Sequence, residues 1–388
     1  MKKIYLIKNL SPWMINELLA FSLFTQFRLV LLRKPARIYH NDIEELKARG
    51  VEIFITPFQA FPSLKRGLFS VYFILKNISC FLGFKNFVFG IKSIHWFTIL
   101  RRNIIPSHSS VHAQFATQAS IIALLYKNYL KYVEYSFTFH AHDIYFPNRW
   151  FRLLVNESEK AISISEYNIN YVENRYLKYN TDKINLSRLG VFLPKIRSTQ
   201  KHDLLTIGFL SWWEEKKGLL ILLNAFKSLI DECRVPIRLI LAGDGPMHNH
   251  VINFIKDNKL HNYIEVRGKI FGKNKGDFYK EIDIFTLPSI ASQNDMDGIP
   301  VVLMEAVSFG VPIISTNLSG IPEICKNNYN GFLIPSNDIT ALKKAILKFY
   351  YMDDVQFQQF RRRAYKSSRD YDIIENSKNK LEKLRWDS

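Results

Sequence analysis

Two carboxylates eight residues apart frame the stretch of this sequence best suited to chemistry. Asp297 precedes Gly298, Ile299 and Pro300, and Glu305 follows within VVLMEAVSFG. A proline is tolerated in the first turn of a helix, where its missing N–H leaves no bond unmade, so Pro300 marks a helix start. The free N–H groups of Val301 and Val302 then form an anion site, strengthened by the helix dipole. A phosphate at that helix start, flanked by carboxylates that accept hydrogen bonds from sugar hydroxyls, is one arrangement these residues support. They also fit a helix capped by Asp297, with Glu305 on its face and no ligand. The triplet Asp295-Met296-Asp297 adds one more carboxylate. Two carboxylates alone make an incomplete Mg²⁺ site, so no metal is expected.

The elements around this stretch read as α/β, from short apolar runs alternating with longer helical segments. Lys3–Ile7, Arg28–Leu32 and Val51–Ile55 have the look of buried strands, with helices over Pro12–Phe24 and Asn41–Arg49. Tyr135–Phe139 and Lys160–Ser163 end in polar clusters, and such strand ends are where ligands bind in open parallel sheets. After the polar stretch Gly190–Asp203 the rhythm restarts with LLTIGFL, a helix, IRLILAGDG, another helix, YIEVRG and IDIFTLPS. The expectation is two Rossmann-like domains, 1–195 and 196–360, facing each other across a cleft, with a final helix over 361–388 packing back on the first.

The charge is lopsided. Of a net +18, the first 130 residues carry 17 Lys/Arg against 5 Asp/Glu, a net of +12. These basic residues sit among phenylalanines and tryptophan in LFSVYFILKNISCFLGFKNFVF and SIHWFTILRR. That mixture suits an anionic membrane surface, a nucleic-acid backbone, or simply a basic exterior over a Phe-rich core. The longest apolar run, Gly67–Gly90, is broken by Lys76, Asn77 and Lys85, and the start MKKIYLIKNL is too short in apolar residues for a signal peptide. A cytoplasmic protein is expected. Cys80, Cys233 and Cys325 are too dispersed for a disulfide framework or a zinc site.

The segment Leu287–Cys325 resembles the E-x7-E signature of the family 4, or group 1, retaining glycosyltransferases, which have the GT-B fold. Asp297-Gly298-Ile299-Pro300, Glu305-Ala306, Gly310-Val311-Pro312 and Ser319-Gly320 with Glu323 occur in the family's order. The wording NDMDGIPVVLMEA is most similar to the branch that assembles colanic-acid-like polysaccharides. The resemblance implies that Glu305 holds the ribose hydroxyls of a nucleotide, Asp297 contacts the donor sugar, and backbone from Gly298 to Val302 binds the diphosphate. In EKKG it implies a diphosphate-gripping lysine at Lys217, with Gly208 in the family's Gly-Arg-Leu run and Arg267-Gly268 presenting backbone to the base. That run reads Gly208-Phe209-Leu210 here, so the family's arginine is missing, and Trp212 and Trp213 follow as an insertion. In FTFHAHDIY, His140 is implied near the donor sugar and Asp143 as a buttress of its loop. The N-terminus departs from the family, with Asn16 and Glu17 resembling polar residues of some polysaccharide-building members.

The function implied is retaining transfer from a UDP- or GDP-sugar to a glycan or lipid-linked oligosaccharide acceptor, at the inner face of the cell membrane. Neither a metal nor a further cofactor is implied. A sugar-nucleotide binder without turnover is the alternative, motivated by Phe209 and by Asp297 in place of Glu. A nucleic-acid partner is not expected, since no recognised nucleic-acid motif accompanies the charge.

Overall fold

A computed structural model describes residues 1–56, 64–100, 104–130, 132–145, 148–177, 182–195, 204–292 and 296–387. The chain divides into two compact units, Met1–Leu189 with Ile373–Ser388, and Gly190–Asp372.

The first unit is built on strands β1 (Lys2–Ile7), β2 (Arg28–Leu31), β3 (Glu52–Ile55), β4 (Ser109–Gln114), β5 (Val133–Phe139), β6 (Lys160–Ser163) and β7 (Ile184–Leu186). They pair in parallel in the order β3-β2-β1-β4-β5-β6-β7. Parallel strands need helical crossovers that cover both faces, which is why β2 and most of β1 and β5 are buried throughout. Helix Ile373–Leu384 returns to this unit and packs on helix Pro12–Phe21, burying Leu381, Leu384 and the following Trp386 in the core around Tyr5, Leu18 and Phe21.

The second unit holds β8 (Leu205–Trp212), β9 (Ile237–Asp244), β10 (Ile264–Gly268), β11 (Ile284–Leu287), β12 (Ile313–Thr316) and β13 (Gly331–Ile334). Its order is β10-β9-β8-β11-β12-β13, again parallel. Each sheet therefore reverses its winding once, between β1 and β4 and between β8 and β11. The crevice beyond the carboxyl ends of strands at such a reversal is the ligand position of this fold class. Helix Asp354–Ser367 stays with this unit, because Arg361 donates to Asp283 Oδ1 at 3.1 Å and both side chains are buried.

The apolar run Gly67–Gly90 resolves into helix Leu64–Lys76, a short 3₁₀ turn at Ile78–Phe81 and the start of helix Phe84–Ile99. Among the described residues no helix is long and apolar enough to cross a membrane.

Candidate functional site

The second unit brings its site together at the β8/β11 reversal. Strand β8 alternates faces, so a Cβ on Gly208 would come within 2.4 Å of Ile282 and Phe209 is fully buried. Both residues belong to the packing of the strand, and Gly208 is not part of the polar cluster. The strand runs on to Trp212, and Trp213 N–H donates to the Asp244 carbonyl at 2.8 Å. The insertion thus lengthens the β8–β9 ladder. It also buries Trp213, which stacks on His248 at 5.6 Å, and leaves Trp212 half-exposed under the Lys269 ammonium.

A 3₁₀ turn, Glu215–Lys217, follows, and Gly218 closes it with φ +68. Only glycine fits here: a Cβ would lie 1.9 Å from the Pro288 carbonyl oxygen, and the backbone is left-handed. The turn is tied to the loop after β11 by Ile290 N–H donating to the Lys216 carbonyl at 2.8 Å. Lys217 is thereby delivered to Asp297, its Nζ 2.5 Å from Oδ1, while Ser289 Oγ donates to Oδ2 at 2.8 Å. Asp297 is buried, and its side chain makes no cap bond to the helix that follows; Pro300 occupies the N-cap, at φ −63 and ψ 129. Asp297 is a partner of Lys217 and not a helix cap.

Helix Val301–Ser308 begins with Val301 and Val302, whose N–H groups have no carbonyl one turn earlier in the helix to bond. Gly298 and Ile299 complete the approach to that helix start, Ile299 buried. Glu305 lies one turn in. Its Oε1 is 2.5 Å from Lys275 Nζ, and its Oε2 accepts from the Tyr279 hydroxyl at 2.8 Å. Burial and the adjacent Glu305 charge hold the Tyr279 phenol well above its usual pKa, so it stays a donor. Lys275 and Tyr279 were not anticipated. They stand four apart on helix Lys273–Glu281 and so share one face, but nothing in their spacing tells which carboxylate that face meets. Asp295 lies outside the described residues.

Arg267 and Gly268 close strand β10. The Arg267 guanidinium is held between Glu265 and Glu281, at 2.6 Å from each, and Gly268 has φ +61. The side chain is occupied structurally, which leaves the backbone as the part free to meet a ligand.

His140 belongs to the first unit, at the end of β5. It is buried between the rings of Trp13 at 5.0 Å and Phe115 at 4.6 Å. Burial, with the Lys380 charge adding to it, lowers its pKa to about 3, so the ring is neutral. Among the described residues its Nε2 has no hydrogen-bond partner. Its backbone N–H donates to Asp143 Oδ2 at 2.8 Å, and burial raises the Asp143 carboxyl to about 7 against that bond. The loop buttress implied for Asp143 corresponds to this contact. Glu17 is committed elsewhere: it is buried, accepts from the Tyr5 hydroxyl, and pairs with the buried Lys380 at 2.7 Å.

Residues 201–351 match the family model described as Glycosyl transferases group 1. The putative colanic acid biosynthesis glycosyltransferase WcaL of Escherichia coli is 31% identical over 190 residues, 47% of this chain and 46% of that protein. A second Escherichia coli relative, UDP-Gal:alpha-D-GlcNAc-diphosphoundecaprenol alpha-1,3-galactosyltransferase, is 30% identical over 138 residues, 35% of this chain and 34% of that protein. The match thus spans less than half the length of either curated relative. Among solved structures, Anabaena Alr3699/HepE in complex with UDP and glucose superposes with a TM-score of 0.71 at 15% identity, covering 99% of both chains. Residues 201–351 thus match the group 1 glycosyl transferases, in a chain whose two parallel Rossmann-like sheets give it the GT-B fold of its structural neighbours.

Proposed function

We propose that this protein is a retaining glycosyltransferase of cell-surface polysaccharide assembly, moving a sugar from a nucleoside-diphosphate sugar to a glycan or lipid-linked acceptor at the cytoplasmic face of a membrane. The observation that carries this reading is the pair of carboxylates flanking the start of helix Val301–Ser308, Asp297 bonded to Lys217 before it and Glu305 bonded to Lys275 one turn in. The leaving diphosphate poses the main charge problem of the reaction. Lys217 and the N–H groups of Val301 and Val302 answer it with fixed positive potential that costs no reorganisation as charge develops. Glu305 accepts from the ribose hydroxyls and Asp297 from a hydroxyl of the donor sugar, each remaining oriented by its lysine. No acid–nucleophile pair of the glycosidase kind is assigned. Retention then follows from acceptor attack on the face the diphosphate leaves, with its oxygen taking the acceptor proton.

UDP as the nucleotude is supported by a relative named for UDP-Gal and a structural neighbour holding UDP, and GDP stays as the alternative. The diphosphoundecaprenol in that relative's name supports a lipid-linked acceptor. Transfer without a metal is supported by the lysine and serine already engaging Asp297. Activity unchanged in EDTA is expected, and loss restored by Mg²⁺ or Mn²⁺ would contradict it.

One observation favours a second reading. Phe209 is fully buried where the family has an arginine, so no cation reaches the diphosphate from that position. A binder without turnover would then bind the nucleotide sugar yet release no nucleoside diphosphate with membrane or polysaccharide acceptors. Acceptor-dependent release of nucleoside diphosphate decides between the two.

A further inference from the structure

Helices Leu64–Lys76 and Phe84–Ile99 are apolar on two sides, and only one side is used by the fold. On the inner side Phe73 stacks on Trp150 at 6.3 Å, Phe81 meets Trp150 edge-on at 4.8 Å, and Arg66 donates to the Phe97 carbonyl at 2.7 Å. On the outer side Leu68, Val71, Tyr72 and Leu75 recur at the spacing of one helix face, each more than half exposed. Phe84, Phe87 and Ile91 repeat the pattern on the second helix, with Phe84 82% exposed, and the turn between the helices exposes Ile78. The two helices pack on each other. Scattered exposed leucines need no explanation, but two adjoining stripes of large apolar side chains mark an interaction surface.

The charge around these stripes has one sign. Lys65, Lys76, Lys85 and Lys92 are exposed on the same two helices. Between Glu52 and Glu134 the sequence contains no Asp or Glu at all. Beside Lys92 the cationic surface continues through Arg33 to Lys8, whose ammonium is held below its usual pKa by burial and then by those two like charges. A second copy of the same face would bring lysines against lysines, and long aliphatic side chains have no use on a phosphate backbone. An anionic bilayer satisfies both halves of the surface. Apolar side chains enter the headgroup–acyl boundary while lysines meet lipid phosphates.

We propose that the outer face of helices Leu64–Lys76 and Phe84–Ile99 docks this protein on a bilayer rich in anionic phospholipid. This deepens the reading of a membrane-bound acceptor, on which it rests. The test is flotation of the full-length protein with phosphatidylcholine vesicles and with vesicles containing about one third phosphatidylglycerol, at low and high salt. The native protein is expected to float with the anionic vesicles at low salt and to be released at high salt. The variant Leu68→Ser/Leu75→Ser/Phe87→Ser should lose at least about ten-fold in partitioning. Lys76→Ala and Lys85→Ala should each lower it about five-fold. Thermal stabilisation by a nucleotide sugar, retained in every variant, reports an intact donor site. Its absence in the native protein would count against the glycosyltransferase reading without touching vesicle binding. No flotation of the native protein with anionic vesicles, or equal flotation of the triple-serine variant, would overturn the docking surface. So would a native dimer that the triple variant makes monomeric while neither binds vesicles, since the face would then belong to a second copy.

Discussion

Both carboxylates of the proposed donor site are paired with lysines, Asp297 with Lys217 and Glu305 with Lys275, so a ligand there would meet side chains already oriented. A carboxylate offers about four acceptor sites, so after the bonds from Lys275 and Tyr279 Glu305 keeps capacity for the ribose hydroxyls proposed for it. Glu305→Gln keeps the shape and removes the charge. It is expected to weaken nucleotide binding about ten- to hundred-fold, as loss of a charge-assisted hydrogen bond does, and calorimetric titration checks it. His140 gives a pH signature of the first unit. Its ring has a pKa of about 3 in the fold and an ordinary one when unfolded. Its contribution to stability is therefore complete above the unfolded value and is lost as pH falls toward 3. Asp143, raised to about 7, acts in the opposite sense, favouring the fold on the acid side and losing that as pH rises. Hence His140→Gln should gain on the native protein by roughly 2 kcal/mol between pH 7 and 5, read from urea unfolding at each pH. No gain would mean that the native ring is protonated or solvated. Asp297, Glu305 and Lys217 were legible because their order along the chain matches a family signature. Lys275 and Tyr279 were not, because their meeting with Glu305 is made by the packing of two helices.

The strands were the most legible elements. Lys160–Ser163 matches the observed strand to the residue, and β8 runs two residues beyond the LLTIGFL run because Trp212, set apart in the sequence as part of an insertion, extends the ladder. Helix Phe84–Ile99 was hidden for a physical reason: with Phe97 and Ile99 buried and Phe84, Phe87 and Ile91 exposed, its apolar residues lie on more than one side and show no clean period. The return of helix Ile373–Leu384 to the first unit rests on a buried ion pair whose partners are far apart in sequence. Lys380 and Glu17 bond at 2.7 Å, with the Tyr5 hydroxyl on the same carboxylate. Burial lowers the Lys380 pKa, against the raising effect of Glu17. Glu17→Ala would strand that ammonium and is expected to cost about 3–5 kcal/mol in the first unit. Replacing both partners with apolar residues should recover most of it. Proteolysis or hydrogen exchange that resolves the two units separately checks this. A Glu17→Ala protein as stable as the native one would mean that Lys380 reaches water.

At the scale of the whole chain, two parallel sheets with one winding reversal each carry different burdens. The second unit holds the lysine–carboxylate pairs and the family match, while the first holds His140 and most of the positive charge. Composition alone indicated the charge excess but could not tell a membrane from a nucleic acid. The proposal of a membrane rests on the exposure of Leu68, Val71, Tyr72 and Leu75 beside lysines. The proposed nucleotide-sugar site lies at the start of helix Val301–Ser308. Its most direct test is thermal unfolding of the native protein, Lys217→Ala and Glu305→Ala with UDP-, GDP- and ADP-sugars. One nucleotide class, UDP first, is expected to raise the native midpoint in a saturable way, and both variants to lose the shift. Native protein indifferent to every nucleotide sugar, or variants stabilised as much as the native chain, would contradict it.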